Sequence, residues 1–169
     1  NVFLQQKMPW LSYLPRFLDS ALNTPWLIRK LTANTGETSP RLIGQLTVSM
    51  LQGTAGRQRK EIHRLVDWLV REGRPDAIVL TNLLIGGCIE EIQRRMKTQV
   101  HVVLQGDDIF LDFLPEPYRQ QALKAMRHLV QRVDRFIVHS HDYGARMQQL
   151  LQIPTHKLHV VPLGIDIRD

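Results

Sequence analysis

Four short apolar runs in the chain constrain its fold more than any other feature. They are Ala77-Ile78-Val79-Leu80, Val100 to Leu104, Phe136-Ile137-Val138 and Leu158 to Val161. Each is short, rich in β-branched residues, and mostly apolar without alternation. That pattern predicts strands covered on both faces, as in parallel sheets, because a strand with one wet face alternates apolar and polar residues. Helical stripes lie between the runs. Leu84, Ile85, Cys88, Ile89, Ile92 and Met96 mark one. Tyr118, Ala122, Ala125, Met126, Leu129, Val130 and Val133 mark a second, and Met147, Leu150 and Leu151 a shorter third. Strand and helix alternating at this spacing means βαβ crossovers and a Rossmann-like, doubly wound, mainly parallel α/β sheet flanked by helices.

Upstream, Ile62, Leu65, Val66, Leu69 and Val70 form a further helical face, with Gly73 and Pro75 as its stop. Ser39-Pro40 reads as an N-cap followed by proline at the first helical position. The helix it opens carries Leu42, Leu46 and Met50 and is expected to break or bend at Gly53 and Gly56. Residues 34–39 read as a polar loop, and residues 2–4 as one further strand.

In an open parallel sheet, ligands bind beyond the carboxyl ends of the strands. The four runs end in Thr81-Asn82, in Gln105-Gly106-Asp107-Asp108, in His139-Ser140-His141 and in Pro162-Leu163-Gly164-Ile165-Asp166. Small and polar residues therefore gather on one rim. Asn82 and Ser140 stand where N-caps are needed, and capping accounts for both, with ligand contact as a second role. Gly106 serves either backbone conformation or the close approach of a ligand. Asp107 and Asp108 read equally as a solvated turn and as functional carboxylates. His139 and His141 with Asp107, Asp108 and Asp112 show no diagnostic ligand spacing, so no metal is expected. Cys88 lies on an apolar stripe and reads as core packing. No G-x-G-x-x-G, no G-x-x-x-x-G-K-[ST] and no G-x-S-x-G is present, which removes the support for dinucleotide, P-loop and α/β-hydrolase sites.

Composition narrows the class. A 43% hydrophobic share suits a globular domain, and 169 residues suit one domain with a sizeable core. The single cysteine forms no internal disulfide and fits a reducing cytoplasm. The net charge of +6 lies in the first part: residues 1–75 hold 11 Lys/Arg against 5 Asp/Glu, and the remainder 11 against 11. A solvated basic surface explains this excess, and an anionic partner is the sharper alternative. Residues 9–31, PWLSYLPRFLDSALNTPWLIRKL, mix aromatic, leucine and basic residues. They read as a helical hairpin broken by Pro15 and Pro25, or as a peripheral membrane contact. No nucleic-acid motif is visible.

Several pieces together resemble family 4 glycosyltransferases. REGRPDAIVLTN is similar to that family's "k-P-D-v-i-h" strand. HVVLQGDD sits where members have a strand ending in His-Gly-Glu or His-Gly-Asp. RVDRFIVHSHDYGARMQQLLQIPTHKLHVVPLGID resembles its "ad-x-vi-x-x-S" segment, short helix, "gi-p-x-x-k-i" turn and closing V-I-P-N-G-V-D strand. The resemblance runs from about Arg57 to Asp169. It implies the N-terminal, acceptor-side half of a GT-B fold. Such enzymes transfer a glycosyl group from a nucleotide sugar to a sugar or lipid acceptor with retention, without a cofactor. Residue by residue, Gly106 resembles the glycine that keeps its loop near the donor sugar. Asp107 resembles the acidic position after it, Ser140 the serine opening the helix, and Gly164 and Asp166 the hinge before the second domain. Gln105 replaces the family histidine and Leu163 the asparagine. Gln105 can hydrogen-bond a sugar hydroxyl but cannot titrate.

The resemblance further implies that residues 1–169 are a single, truncated domain whose donor-binding partner half is absent, so that the fragment alone is inactive. Asn1 is not an initiator Met, which fits a piece of a longer chain. A sheet lacking its first strands is expected to dimerise through an open edge. The competing reading is a non-catalytic Rossmann-like module whose basic surface binds anionic lipid or nucleic acid.

Overall fold

The structure is a computed structural model and describes residues 39–164. Residues 9–31, the strand expected at residues 2–4 and Asp166 lie outside the described residues. Helix α1 (Pro40–Leu51) opens as the sequence requires: Ser39 is extended, and its hydroxyl accepts the Leu42 amide at 3.3 Å. A tight 3-10 turn, Gly53–Ala55, ends it. Helix α2 (Arg59–Trp68) runs on into a wider turn, Leu69–Gly73. The left-handed residue that closes this turn is Arg74 (φ 38°), not Gly73. Gly73 stays inside the last turn, so the stop falls one residue later than the glycine rule indicated.

The second part alternates strand and helix. Strand β1 (Ala77–Leu80) leads into a 3-10 segment, Leu83–Cys88, that continues as helix α3 (Ile89–Arg95). Strand β2 (Gln99–Val103) is followed by helix α4 (Asp107–Asp112) and helix α5 (Tyr118–Val130). Strand β3 (Arg135–Val138), helix α6 (His141–Leu151) and strand β4 (Leu158–Val160) complete it. The strands form one parallel sheet in the order β1-β2-β3-β4, with Leu80 beside Val102, Val102 beside Phe136, and Val138 beside Val160. The fold is α/β and Rossmann-like. The described strands step across the sheet in one direction, and no reversal of order occurs among them.

That stepping has a packing consequence. Right-handed crossovers that all move the same way place their helices on the same face. Val100, Val102, Phe136 and Val138 on that face are fully buried, beneath Met126, Leu129 and Met147. On the opposite face His101, Val103 and Ile137 are only half-buried, and Val79 is 56% exposed. The expectation of strands covered on both faces is therefore met on one face among the described residues. A buried, regular run of β-branched residues signals a parallel strand, but it does not say what lies on each side.

Polar groups seal the junctions between layers. Asp134 accepts the Val100 amide at 2.7 Å and donates its own amide to the Val100 carbonyl, locking the start of β3 onto β2. The Lys157 ammonium donates to the carbonyls of Val130, Gln131 and Val133 (2.7–3.1 Å). It thereby caps the C-terminus of α5, where the helix leaves carbonyls without partners. Glu91 is buried between α2 and α3 and accepts two bonds of 2.7 Å from Arg94, with His63 at 3.3 Å. The Arg94 contact is the main cause that lowers its carboxyl below the ordinary range.

Candidate functional site

Because the four strands are parallel, the residues after Leu80, Val103, Val138 and Val160 all leave the sheet at the same edge. Asn82, Gly106, Ser140 and Gly164 are thus brought to one rim from separate parts of the chain. Asn82 and Ser140 are both caps. The Asn82 carbonyl oxygen accepts the Ile85 amide at 3.2 Å, and the Ser140 hydroxyl accepts the Tyr143 amide at 3.2 Å. Both residues are extended, which is the conformation a cap requires.

The β2 turn is the most constrained part of the rim. Leu104 is buried and still bonds β3 through the Ile137 carbonyl. Gln105 then faces solvent, and its side-chain amide donates to the Thr81 carbonyl at 3.2 Å, linking the turns after β1 and β2. Gly106 adopts a left-handed conformation (φ 77°), and among the described residues beyond its chain neighbours no atom lies within 4 Å of where a Cβ would stand. Its conformation favours glycine, and the space above it is open.

Neither carboxylate is solvated. Asp107 is 1% exposed and Asp108 3% exposed. Asp107 accepts the Leu83 amide at 2.8 Å and the Gln105 amide at 3.1 Å, so one side chain ties the β1 turn to the β2 turn. Burial pushes its carboxyl above the ordinary value, and these amide bonds pull partly the other way. Asp108 accepts the Tyr143 hydroxyl at 3.2 Å and pairs with Arg146 at 3.0 Å, reaching across to α6. The reading of a solvated turn fails because the helix α4 begins at Asp107 and turns both side chains inward.

Tyr143 completes this cluster, and sequence patterns did not single it out. Its hydroxyl accepts the Gly106 amide at 2.8 Å while donating to Asp108. The sequence signal was weak: a tyrosine three residues after a cap, on a helix whose partner turn lies 37 positions earlier. Burial and then the two aspartates push its phenol up from 10.0 to about 12. A folded value above the unfolded one gives stability that is present below pH 10 and lost as pH rises toward about 12. In an alkaline titration followed by phenolate absorbance, Tyr143 is expected to ionise last. Tyr143→Phe should remove that late phase together with the matching slice of alkaline destabilisation. A late phase that persists in the variant would assign it to another of the chain's 3 tyrosines.

The remaining rim residues play smaller parts. His139 Nδ1 lies 2.9 Å from the Val161 carbonyl, which ties β3's exit to β4's. Gly164 is the last described residue, and among the described residues nothing lies within 4 Å of where its Cβ would stand. Among the described residues, no group of three or more His, Cys, Asp or Glu stands close enough to hold a metal ion. Cys88 is buried, donates to the Ile85 carbonyl at 3.4 Å, and has its thiol raised by burial, all of which suit a core residue. No described helix is long and apolar enough to cross a membrane.

The arrangement offers a glycine turn with open space beside its Cα, held rigidly by two inward carboxylates, and an exposed amide at the rim of a parallel sheet. Comparison with known proteins agrees with the resemblance seen in the sequence: the model of Glycosyltransferase Family 4 matches residues 50–169. No curated protein and no solved structure matches. The match takes in all four strands and every residue of the rim, and the chain belongs to glycosyltransferase family 4.

Proposed function

We propose that this chain forms the acceptor-side, N-terminal half of a retaining glycosyltransferase, which moves a glycosyl group from a nucleotide sugar to a sugar or lipid acceptor. The observation that carries the reading is the β2 turn. A glycine with open space above it lets a sugar approach the backbone, and Gln105 beside it can donate to and accept from hydroxyls. Asp107 and Asp108 act as positioning residues in this scheme, holding the turn so that it need not reorganise when the sugar binds. Asn82 and Ser140 cap the neighbouring segments and set the flanks of the same rim. No residue of the chain is assigned as nucleophile or base. A half-site has one wall only, so turnover requires a second domain carrying the donor, with Gly164 and Asp166 leading toward it. The lone, buried Cys88 is in keeping with a reducing, cytoplasmic setting.

The test is an assay of the intact protein for release of nucleoside diphosphate, with Gly106→Val beside wild type. A Cβ at Gly106 meets nothing within 4 Å among the described residues, so a valine there extends into the space left for the sugar. It is expected to lower kcat/KM by roughly tenfold or more, and a β-branched residue at this positive φ costs about 1–2 kcal/mol of stability or more. An intact protein that neither binds nor consumes any nucleotide sugar would overturn the reading. In that case salt-dependent binding to anionic vesicles would favour the non-catalytic module.

A further inference from the structure

Helices α4, α5 and α6 line an open cavity of about 480 Å³ that begins where the β2 turn ends. Arg119, Arg127 and Arg146 line it, together with Asp108 and Asp112. Two of the guanidiniums are matched: Arg146 pairs with Asp108 at 3.0 Å, and Arg119 with Asp112 at 3.0 Å. Arg127 is different. It is half-buried, and its Nε and Nη2 donate to the Leu150 carbonyl at 3.1 and 2.9 Å. A carbonyl is neutral, and no carboxylate among the described residues pairs with Arg127. The cavity thus holds three cations against two anions, with the surplus on the guanidinium that is drawn into the protein. Removing a charge from water without a counterion is costly, so an anion entering here is favoured over water. Guanidiniums set around a cavity match the oxygens of phosphate through paired N–H donors.

We infer that this cavity is an anion subsite that takes a phosphate-type group of the acceptor. Assigning the anion to the acceptor rests on the transferase reading above, whereas anion binding itself does not. The position suits an acceptor, because Asp108 links the cavity through Tyr143 to the Gly106 turn. The next position around the helix is apolar. Ile109 (58% exposed) and Phe113 (79% exposed) stand one step around α4 from Asp108 and Asp112, as i, i+4 spacing dictates.

The experiment titrates inorganic phosphate into the chain at low salt and follows binding by calorimetry. Wild type should bind saturably. Arg127→Met should weaken binding by roughly tenfold or more, and Arg127→Lys, which keeps the charge, should restore part of the loss. Arg119→Gln, eight residues earlier on α5, should weaken it independently, which guards against a local packing defect in the first variant. Circular dichroism confirms that each variant is folded. Co-sedimentation with phosphatidylcholine vesicles, with and without phosphatidylglycerol, identifies the source. Binding to the anionic vesicles that phosphate competes away indicates a lipid headgroup, and phosphate binding without vesicle binding indicates a soluble phosphorylated acceptor. Absence of saturable phosphate binding to wild type, or unchanged affinity in both arginine variants, overturns the inference. Because no turnover is needed, that failure is distinct from failure of the transferase assay.

Discussion

Asp107→Ala is expected to abolish turnover by the intact protein and to lower stability by about 3 kcal/mol, since two amides lose their acceptor at buried positions. The amides are those of Leu83 and Gln105, and the carboxylate that serves both is 1% exposed. Loss of the side chain separates the turn after β1 from the turn after β2, so the rim loses the geometry that places Gly106. Asp107→Asn isolates the charge. It keeps one oxygen for the Leu83 amide but turns an NH2 group toward the Gln105 amide, so it should destabilise less than alanine. The pH dependence has a definite sign. The folded carboxyl lies above its unfolded value of 3.8, mainly through burial. Its favourable contribution is therefore complete below that value and is lost as pH rises through the raised folded value. In urea unfolding across the acidic range, the advantage of wild type over Asp107→Asn should shrink as pH rises. An advantage that grows with pH would mean that the carboxylate is stabilised as an ion, contrary to its burial.

Gly87→Ala is expected to cost the fold about 3 kcal/mol or more, which for a domain of this size is a fall in Tm of roughly 6–12 °C. A Cβ at Gly87 would stand 1.9 Å from the Met50 carbonyl oxygen, 2.8 Å from the Gly53 nitrogen and 2.9 Å from the Gly53 Cα. All three are backbone atoms, so no side chain can rotate away to relieve the clash. The end of α1 and the 3-10 segment Leu83–Cys88 here touch backbone to backbone, and a Cβ on Gly53 would in turn meet the Gly87 carbonyl at 2.2 Å. That segment follows Asn82 directly, so the displacement reaches the rim, and activity of the intact protein should fall along with stability. Gly164→Ala is the control. A Cβ there meets nothing within 4 Å among the described residues, and the substitution should leave Tm within about 2 °C, as surface changes away from such features do. A Gly87→Ala variant that melts with wild type would show that α1 is not held against this segment.

The four strands were legible because each is a short β-branched run bounded by turn residues, and the structure places them within a residue of the apolar stretches. The caps were legible for a similar reason. Ser39, Asn82 and Ser140 each satisfy an amide three residues ahead, an interaction so local that residue type and position suffice. The rim followed from topology alone, since parallel strands release their next residues at one edge.

Other features needed the folded chain. The sequence left Asp107 and Asp108 open between a solvated turn and a functional pair, because the short helix that buries them has too few residues to show a period. Tyr143 was missed because its partners, Gly106 and Asp108, lie 37 and 35 positions away. The contact of Gly87 with Met50 and Gly53 was equally hidden, as a glycine in a helical pattern reads as a cost until a neighbour's backbone is seen against it. Coverage of the sheet's second face was not legible, since apolar strand residues look alike whatever packs over them. By itself the sequence determined the parallel α/β order, the capped helices and the edge at which a ligand would meet them, because each depends on near neighbours or on strand direction. Only the tertiary structure decided that the two carboxylates point inward, that a tyrosine bridges them to the glycine turn, and that three arginines share one cavity. Those depend on distances between residues far apart in the chain, which no local pattern encodes.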